Sequence, residues 1–412
     1  MTRILVVGCG FAGATHAREL ADAGWEVDMI DQRGHIAGNA FDEIDRNGIR
    51  IHRYGPHLFH TSNRRVFDWI TRFGAFVPYE HRVQALLPDG RCVGLPINRA
   101  TINDVFGLGL NDSESVSAFL RTQAVKIADP ANAAEYLAAN IGVVLSDLFF
   151  RPYTKKMWGL DLEDLDSSVV KRIPLRHDNE DRYFPDESYQ VMPQFGYTRL
   201  FEVMLDHPLI RVHLNQSFDA SMLRGYAHCF NSMPIDGFFD YRLGRLPYRS
   251  IRFHHHTVPF DHGRGSAATI NFTDPSPLTR ETDWTRIQGH VVRQGLSKTI
   301  TREEPCDFSE NGDERYYPVK TSDGRYQALY SRYKALAAEV ANVSFIGRCG
   351  TYQYLDMHQV INQSLAHVSD WVGRQRALGS NDRGPTSGLS SSVSEPRGRF
   401  AYKRNIGLSA GP

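Results

Sequence analysis

The sequence predicts an α/β fold in three parts: a parallel sheet with crossing helices, an inserted helical domain, and an antiparallel β-sheet domain. Three observations carry this. The apolar run Ile4-Leu5-Val6-Val7 has the look of a buried parallel strand. From residue 113 to about 150 the pattern is helical, with Val116, Phe119, Leu120 and Ile127 on one face. Residues 183–300 are richer in alternating, β-branched segments punctuated by Pro and Gly, which read as a sheet.

At 412 residues the chain exceeds one small core, and two or three domains are expected. Lys+Arg and Asp+Glu balance at 47 each, so no net field draws nucleic acid or an anionic membrane. No apolar run approaches the roughly 20 residues of a membrane span. Met1-Thr2-Arg3 runs straight into a strand and lacks a signal-peptide layout. Cys9, Cys92, Cys229, Cys306 and Cys349 are scattered without a CxxC pair, which argues for a reducing cytoplasm and against zinc or disulfides. His254-His255-His256 is followed by no paired ligands and reads as a strand-edge run, so no metal is expected.

The first strand leads into Gly8-Cys9-Gly10-Phe11-Ala12-Gly13, a G-x-G-x-x-G turn. Residues 14–23 read as a helix with Ala14, Ala17, Leu20 and Ala21 on one face, and Gly24 as its stop. Residues 26–31 then form a second strand ending in Asp31. Gly8 permits the tight turn, Gly10 lets a pyrophosphate approach the backbone, and Gly13 lets helix and strand pack closely. The helix amino terminus faces the phosphate charge, and Asp31 stands where a carboxylate holds ribose hydroxyls. The unit is therefore a Rossmann-like dinucleotide site. The second small-residue turn at residues 32–40 favours FAD over NAD.

Further along, Asp129-Pro130 is expected to open a helix as N-cap and first-turn pair. Residues 343–347 read as a late strand returning to the cofactor domain, and residues 357–372 as a closing helix. Beyond about Arg374 the chain is Ser/Gly/Arg/Pro-rich and is expected to be a disordered tail. The domain expectation is residues 1–80 and 336–373 for the FAD-binding domain, 81–165 mainly helical, 166–335 the antiparallel sheet with interleaved cofactor-domain segments, and 374–412 the tail.

Between Phe149 and Tyr197 aromatic and arginine residues are dense: Phe149-Phe150-Arg151-Pro152-Tyr153-Thr154-Lys155-Lys156-Met157-Trp158, then Ile173-Pro174-Leu175-Arg176, then Asp181-Arg182-Tyr183-Phe184. A planar guanidinium fork suits phosphate oxygens and an aromatic face suits a base, so a nucleotide-linked ligand is indicated. The competing account is a Tyr/Trp-rich core with solvated arginines.

These motifs, with AGNAFDE, YGPHLFHT, GDERYYP and GRCGTYQYLDMHQVI in order, make the chain to about residue 373 resemble the bacterial UDP-galactopyranose mutases. The resemblance implies an FAD-dependent isomerase of UDP-galactopyranose and UDP-galactofuranose, active with reduced flavin through an N5–sugar adduct. It also implies a cellular flavin reductant, furanose for cell-surface glycans, and dimers. By motif position, Arg176 and Arg280 would face the diphosphate as catalytic residues, with His60, Tyr317 and Tyr354. Phe149, Tyr153, Thr154, Trp158, Tyr183 and Asn271 would meet the substrate. Gly8, Gly10, Phe11, Ala12, Gly13, Asp31, Gln32, Gly38 and Asn39 would hold the cofactor. So would His57, Leu58, Arg348, Leu355, Asp356 and Met357, with Arg348 favouring the anionic reduced flavin.

The chain departs from the family pattern near the sugar. His81 stands where an asparagine is usual, Ala37 replaces the first glycine of GGN, Leu278 replaces a common tyrosine, and Glu281-Thr282-Asp283-Trp284 replaces a Glu-His-Lys run. His81 is accordingly assigned to the substrate wall. The alternatives are a mutase for another nucleotide sugar, a flavin amine oxidase or desaturase, and a nucleotide-sugar-binding protein without turnover.

Overall fold

The computed structural model describes residues 3–171, 175–293 and 295–381. The chain divides into two compact units, Met1–Asp370 and Trp371–Pro412.

In the first unit, β1 (Arg3–Val7) is the middle strand of a five-stranded parallel sheet, and Ile4, Leu5 and Val6 are fully buried, as their apolar run predicts. β2 (Glu26–Asp31) pairs on one side and His228–Asn231 on the other, with Ile210–Leu214 and Val343–Phe345 at the edges. α1 (Phe11–Asp22) crosses from β1 to β2 and buries Ala14, Ala17, Leu20 and Ala21. It begins three residues before the periodicity starts, because the glycine turn itself supplies the first helical residues. Strands from three distant stretches thus build one sheet, and the β1–α1 turn lies at its carboxyl edge, where such sheets bind ligands.

The second sheet has seven strands, in the order Tyr317–Pro318, Tyr248–Pro259, Ser297–Asp307, Arg280–Asp283, Thr269–Phe272, Val83–Leu86 and Cys92–Leu95. It is antiparallel except that Thr269–Phe272 runs parallel to Val83–Leu86. Two strands therefore come from the stretch assigned to the helical part. Each has only four residues, too short for its alternation to stand out.

The helices Arg99–Phe106, Ser113–Gln123 and Ala133–Leu145 pack around Ile102, Val116, Leu120, Leu137, Ile141 and Leu145. Ile127 lies beyond the end of its expected helix. The next helix opens at Asn132, not at Asp129-Pro130. Asn132 accepts from Glu135 N at 2.9 Å while Ala131 N donates to Glu135 at 2.8 Å, a reciprocal closure that the earlier pair lacks. A π-turn, Ser146–Phe150, joins this helix to Arg151–Trp158. The joined run Ala133–Trp158 is long and apolar enough by composition to cross a membrane, but Gly142 breaks its helical backbone with φ 80° and ψ 169°, and its Leu137, Ile141, Leu145, Phe149 and Phe150 lie in the helical core.

The closing helix is Met357–Asn381, so residues 374–381 of the expected tail are helical. In the second unit this helix supplies the described residues, and 382–412 lie outside them.

Candidate active site

The glycine turns build the first wall. Gly8 has φ +96°, and a Cβ there would stand 2.0 Å from Ser232 Oγ, so a side chain would be strained and would have to displace the serine. A Cβ on Gly13 would lie 1.9 Å from Gly8 O, which is why α1 packs so closely on the turn. Gly38 has φ +54°, and its Cβ would come within 2.8 Å of Gly10 Cα; the two small-residue turns touch backbone to backbone. Asp31, at the end of β2, accepts from Cys9 N at 2.7 Å and Arg33 N at 2.9 Å. Arg33 donates to Asn39 Oδ1 at 2.8 Å, pairs with Glu314, and lies 4.4 Å over the Tyr54 ring. This latch ties the second turn to the segment before Tyr317.

The opposite wall comes from the seven-stranded sheet and the Arg151–Trp158 helix. Arg280 donates to Tyr153 OH at 3.1 Å and to Asn271 Oδ1 at 3.4 Å, and its Nη1 stands 3.7 Å from Glu303 Oε2. Burial opposes the guanidinium's charge, but Tyr153, Glu303 and two further phenols overcome it and hold the arginine protonated. Glu303 is 3% exposed and its Oε1 has no hydrogen-bond partner. Burial raises its carboxyl above the usual range, against the opposing pull of Arg280. Tyr317 and Tyr354 stack with centroids 5.0 Å apart at 12°, and the Arg348 guanidinium lies 5.2 and 4.8 Å over the two rings.

Histidines fill the span between the walls. His57 donates through Nδ1 to Gly55 O at 2.9 Å, which leaves its Nε2 as an acceptor. Burial, then Arg348, lowers its pKa to about 4 despite that bond. His60 stacks on Phe184 at 3.6 Å and 8°, and burial lowers its pKa while Asp356 and Glu187 oppose. His81 shares a 3.3 Å hydrogen bond with Tyr79 OH and stands 5.9 Å from the Tyr183 ring; burial, then Arg280 and His60, lowers it to about 3.

One cavity of about 750 Å³ runs between these walls. On the cofactor side it is lined by Gly8, Gly10, Phe11, Ala12, Asp31, Gln32, Gly38, Asn39, His57, Leu58, Arg348, Leu355, Asp356 and Met357. Elsewhere its wall includes His60, His81, Phe149, Tyr153, Thr154, Trp158, Tyr183, Asn271, Arg280, Tyr317 and Tyr354. Of the residues assigned to catalysis, substrate or cofactor, two are not on it. Gly13 serves helix packing instead. Arg176 is turned back on its own loop, donating to Glu180 O at 3.2 Å, Tyr183 O at 3.3 Å and Arg182 O. Three carbonyls there satisfy a guanidinium that the sequence places over the cavity. Ile173 and Pro174 of the same motif lie outside the described residues.

The sequence misses Glu303 and the Arg33–Glu314 latch. Glu303 sits in a β-branched run, Thr299-Ile300-Thr301-Arg302-Glu303, where a carboxylate on the buried face is a usable signal.

The fit to a dinucleotide is good: a backbone cradle that a Cβ would fill, a helix amino terminus, an acid at the second strand end, and Arg348 Nε buried without a hydrogen-bond partner. Fold and cavity define a dinucleotide-binding α/β protein whose cleft carries an arginine–tyrosine wall. An NAD(P)-binding Rossmann-like domain model matches residues 6–73, and a UDP-galactopyranose mutase family model matches residues 148–354. The chain is 35% identical over 376 residues to a probable UDP-galactopyranose mutase of Klebsiella pneumoniae, covering 90% of this chain and 94% of that one. It is 34% identical over 378 residues to a dTDP-fucopyranose mutase of Escherichia coli, covering 89% and 97%. A crystal structure of reduced UDP-galactopyranose mutase superposes with a TM-score of 0.70 at 16% identity, covering 91% and 94%. The chain belongs to the UDP-galactopyranose mutase family.

Proposed function

We propose that the protein interconverts UDP-galactopyranose and UDP-galactofuranose with bound FAD in its reduced form. The reading stands on one observation: the glycine cradle and Arg280, braced by Tyr153, Asn271 and Glu303, open into the same cavity. A ring exchange at a nucleotide sugar needs the diphosphate to leave and return. A fixed, permanently charged guanidinium stabilises that charge as it develops. Burial keeps the Tyr317 phenol protonated, so it serves as a donor beside the arginine. Phe149, Tyr153, Thr154 and Trp158 offer the wall for the base, and Tyr183 and Tyr354 offer further hydroxyls. Neutral His57 and His81 can hydrogen-bond sugar or cofactor without adding charge. The enclosed walls keep the sugar close while its nucleotide is detached, so that return is effectively intramolecular. When bound, reduced flavin supplies the electron pair that the anomeric carbon needs as the diphosphate departs. Arg176 is assigned as a second phosphate ligand once its loop releases it.

The same proposal places the enzyme in the cytoplasm, where five unpaired cysteines are at home, with a cellular flavin reductant, furanose delivery to surface glycans and a homodimeric state. A second reading is isomerisation of a dTDP-linked 6-deoxyhexose, favoured by the near-equal identity to the dTDP-fucopyranose mutase. Anaerobic incubation of dithionite-reduced protein with UDP-galactofuranose, beside an oxidised control, tests the first. Conversion to UDP-galactopyranose only when reduced supports it. Conversion of dTDP-fucofuranose alone would transfer the assignment to the second.

A further inference from the structure

Arg280 opens its strand directly after a loop, residues 273–279, and the strand that enters the loop ends in Asn271-Phe272. That loop contains Pro275 and Pro277, which remove two backbone donors, and its carbonyls need partners from elsewhere. Lys156 supplies them. Its Nζ, on a side chain 11% exposed, donates to Phe272 O at 2.9 Å, Asp274 O at 3.0 Å and Leu278 O at 2.7 Å. An ammonium has three protons, and all three are used on this one loop. Asp274 Oδ1, at 3.7 Å, compensates the charge.

The same helix makes a second tie. Tyr153, one turn before Lys156, accepts from Arg280 Nη2 at 3.1 Å. Arg249, opposite Tyr317 in the sheet, caps the helix by donating to Met157 O at 2.9 Å and Lys156 O at 3.2 Å. The aromatic wall and the arginine wall are thus pinned together by cations that do not line the cavity at Lys156.

We infer that Lys156 is a positioning residue: by fixing both ends of the 273–279 loop to the Arg151–Trp158 helix, it sets the distance between Arg280 and the aromatic wall for a nucleoside diphosphate. The inference rests on the proposed diphosphate contact of Arg280. A displacement of Arg280 by about an ångström is enough to cost on the order of 100-fold in turnover.

The test is a double-mutant cycle on FAD-loaded protein, with UDP and dTDP affinity read by calorimetry. Lys156→Met is expected to weaken binding about tenfold in the unmutated background and less than about twofold with Arg280→Ala, because the two act through one contact. Lys156→Arg, which retains the charge and several donors, is expected to restore affinity to within about threefold. Bound FAD should stay near that of the unmutated protein throughout; Lys156→Met lowers the melting temperature because three carbonyls lose their donor, and all affinities are read well below it. Should Lys156→Met fail to fold, Lys156→Gln, which keeps two donors, carries the same cycle. Equal losses in both backgrounds would overturn the inference, since a general loosening of the fold is additive. No nucleotide binding by the unmutated protein would remove the diphosphate site itself and this inference with it.

Discussion

Arg280 and Glu303 are direct cross-strand partners in the seven-stranded sheet, and their side chains meet on its buried face with Nη1 3.7 Å from Oε2. The carboxylate offsets part of the charge that Arg280 would present to a diphosphate. Glu303→Gln is therefore expected to tighten UDP binding several-fold at pH 8. Burial raises the Glu303 pKa, so the acid is increasingly neutral as pH falls and the substitution then changes less. The ratio of dissociation constants, unmutated over E303Q, should grow with pH; a ratio near one at every pH would discard the idea.

Arg348 lies over both Tyr317 and Tyr354, with its Nε buried and unpartnered. A fixed cation at the cavity favours a cofactor that gains negative charge on reduction. Arg348→Met should lower the flavin midpoint potential by tens of millivolts, where about 30 mV in a two-electron couple is 1.4 kcal/mol. A spectroscopic redox titration of the purified holoprotein measures it. An unchanged or higher potential would mean that Arg348 only packs the tyrosines.

What was legible in the sequence is what local geometry specifies. The Gly8–Gly13 turn needs its glycines for a steric reason, and the strand, helix and acid that follow are neighbours in sequence. Arg280, Tyr153 and Tyr317 were legible through family motifs. Glu303 was only half so: a carboxylate in a β-branched run is a signal, but its partner is set by sheet register across a 23-residue separation that no local pattern encodes. Lys156 was equally hidden: in Lys155-Lys156 nothing distinguishes the lysine that pairs with Asp161 at the surface from the one that holds three loop carbonyls. Arg176 shows the reverse. Its motif is plain in the sequence, but the carbonyls that hold it come together only when the turn is folded.

His290 gives a pH prediction away from the cavity. It is 3% exposed, stacks on Trp284 and donates through Nδ1 to Arg50 O at 2.9 Å. Burial lowers its pKa to about 4 from 6.5, against that hydrogen bond. Between those values the unfolded chain binds the proton that the folded one refuses, so stability rises with pH across the window and is lost as pH falls through it from 6.5 to 4. The full effect is on the order of 3 kcal/mol, at about 1.4 kcal/mol per pH unit. His290→Gln should flatten the decline in denaturation free energy between pH 6.5 and 4. An undiminished slope would place the proton uptake on other buried imidazoles, such as His16 and His81.

Arg176 offers the sharpest separation of binding from turnover. Its guanidinium is spent on Glu180, Arg182 and Tyr183 carbonyls and lines no part of the cavity, whereas Arg280 does. In this arrangement a diphosphate bound as proposed meets Arg280 without Arg176, which can contribute only after exchanging its carbonyl partners for phosphate. An interaction made only along the reaction path lowers kcat and leaves ground-state affinity alone. Arg176→Ala is therefore expected to change the UDP dissociation constant by less than about threefold while lowering kcat by about 100-fold or more. Arg280→Ala should damage both. Paired calorimetry and turnover assays on the FAD-loaded variants decide it. A large loss of UDP affinity in Arg176→Ala would mean that the loop already closes on the nucleotide before chemistry, and that the carbonyl-bound arginine is a resting position it leaves on binding.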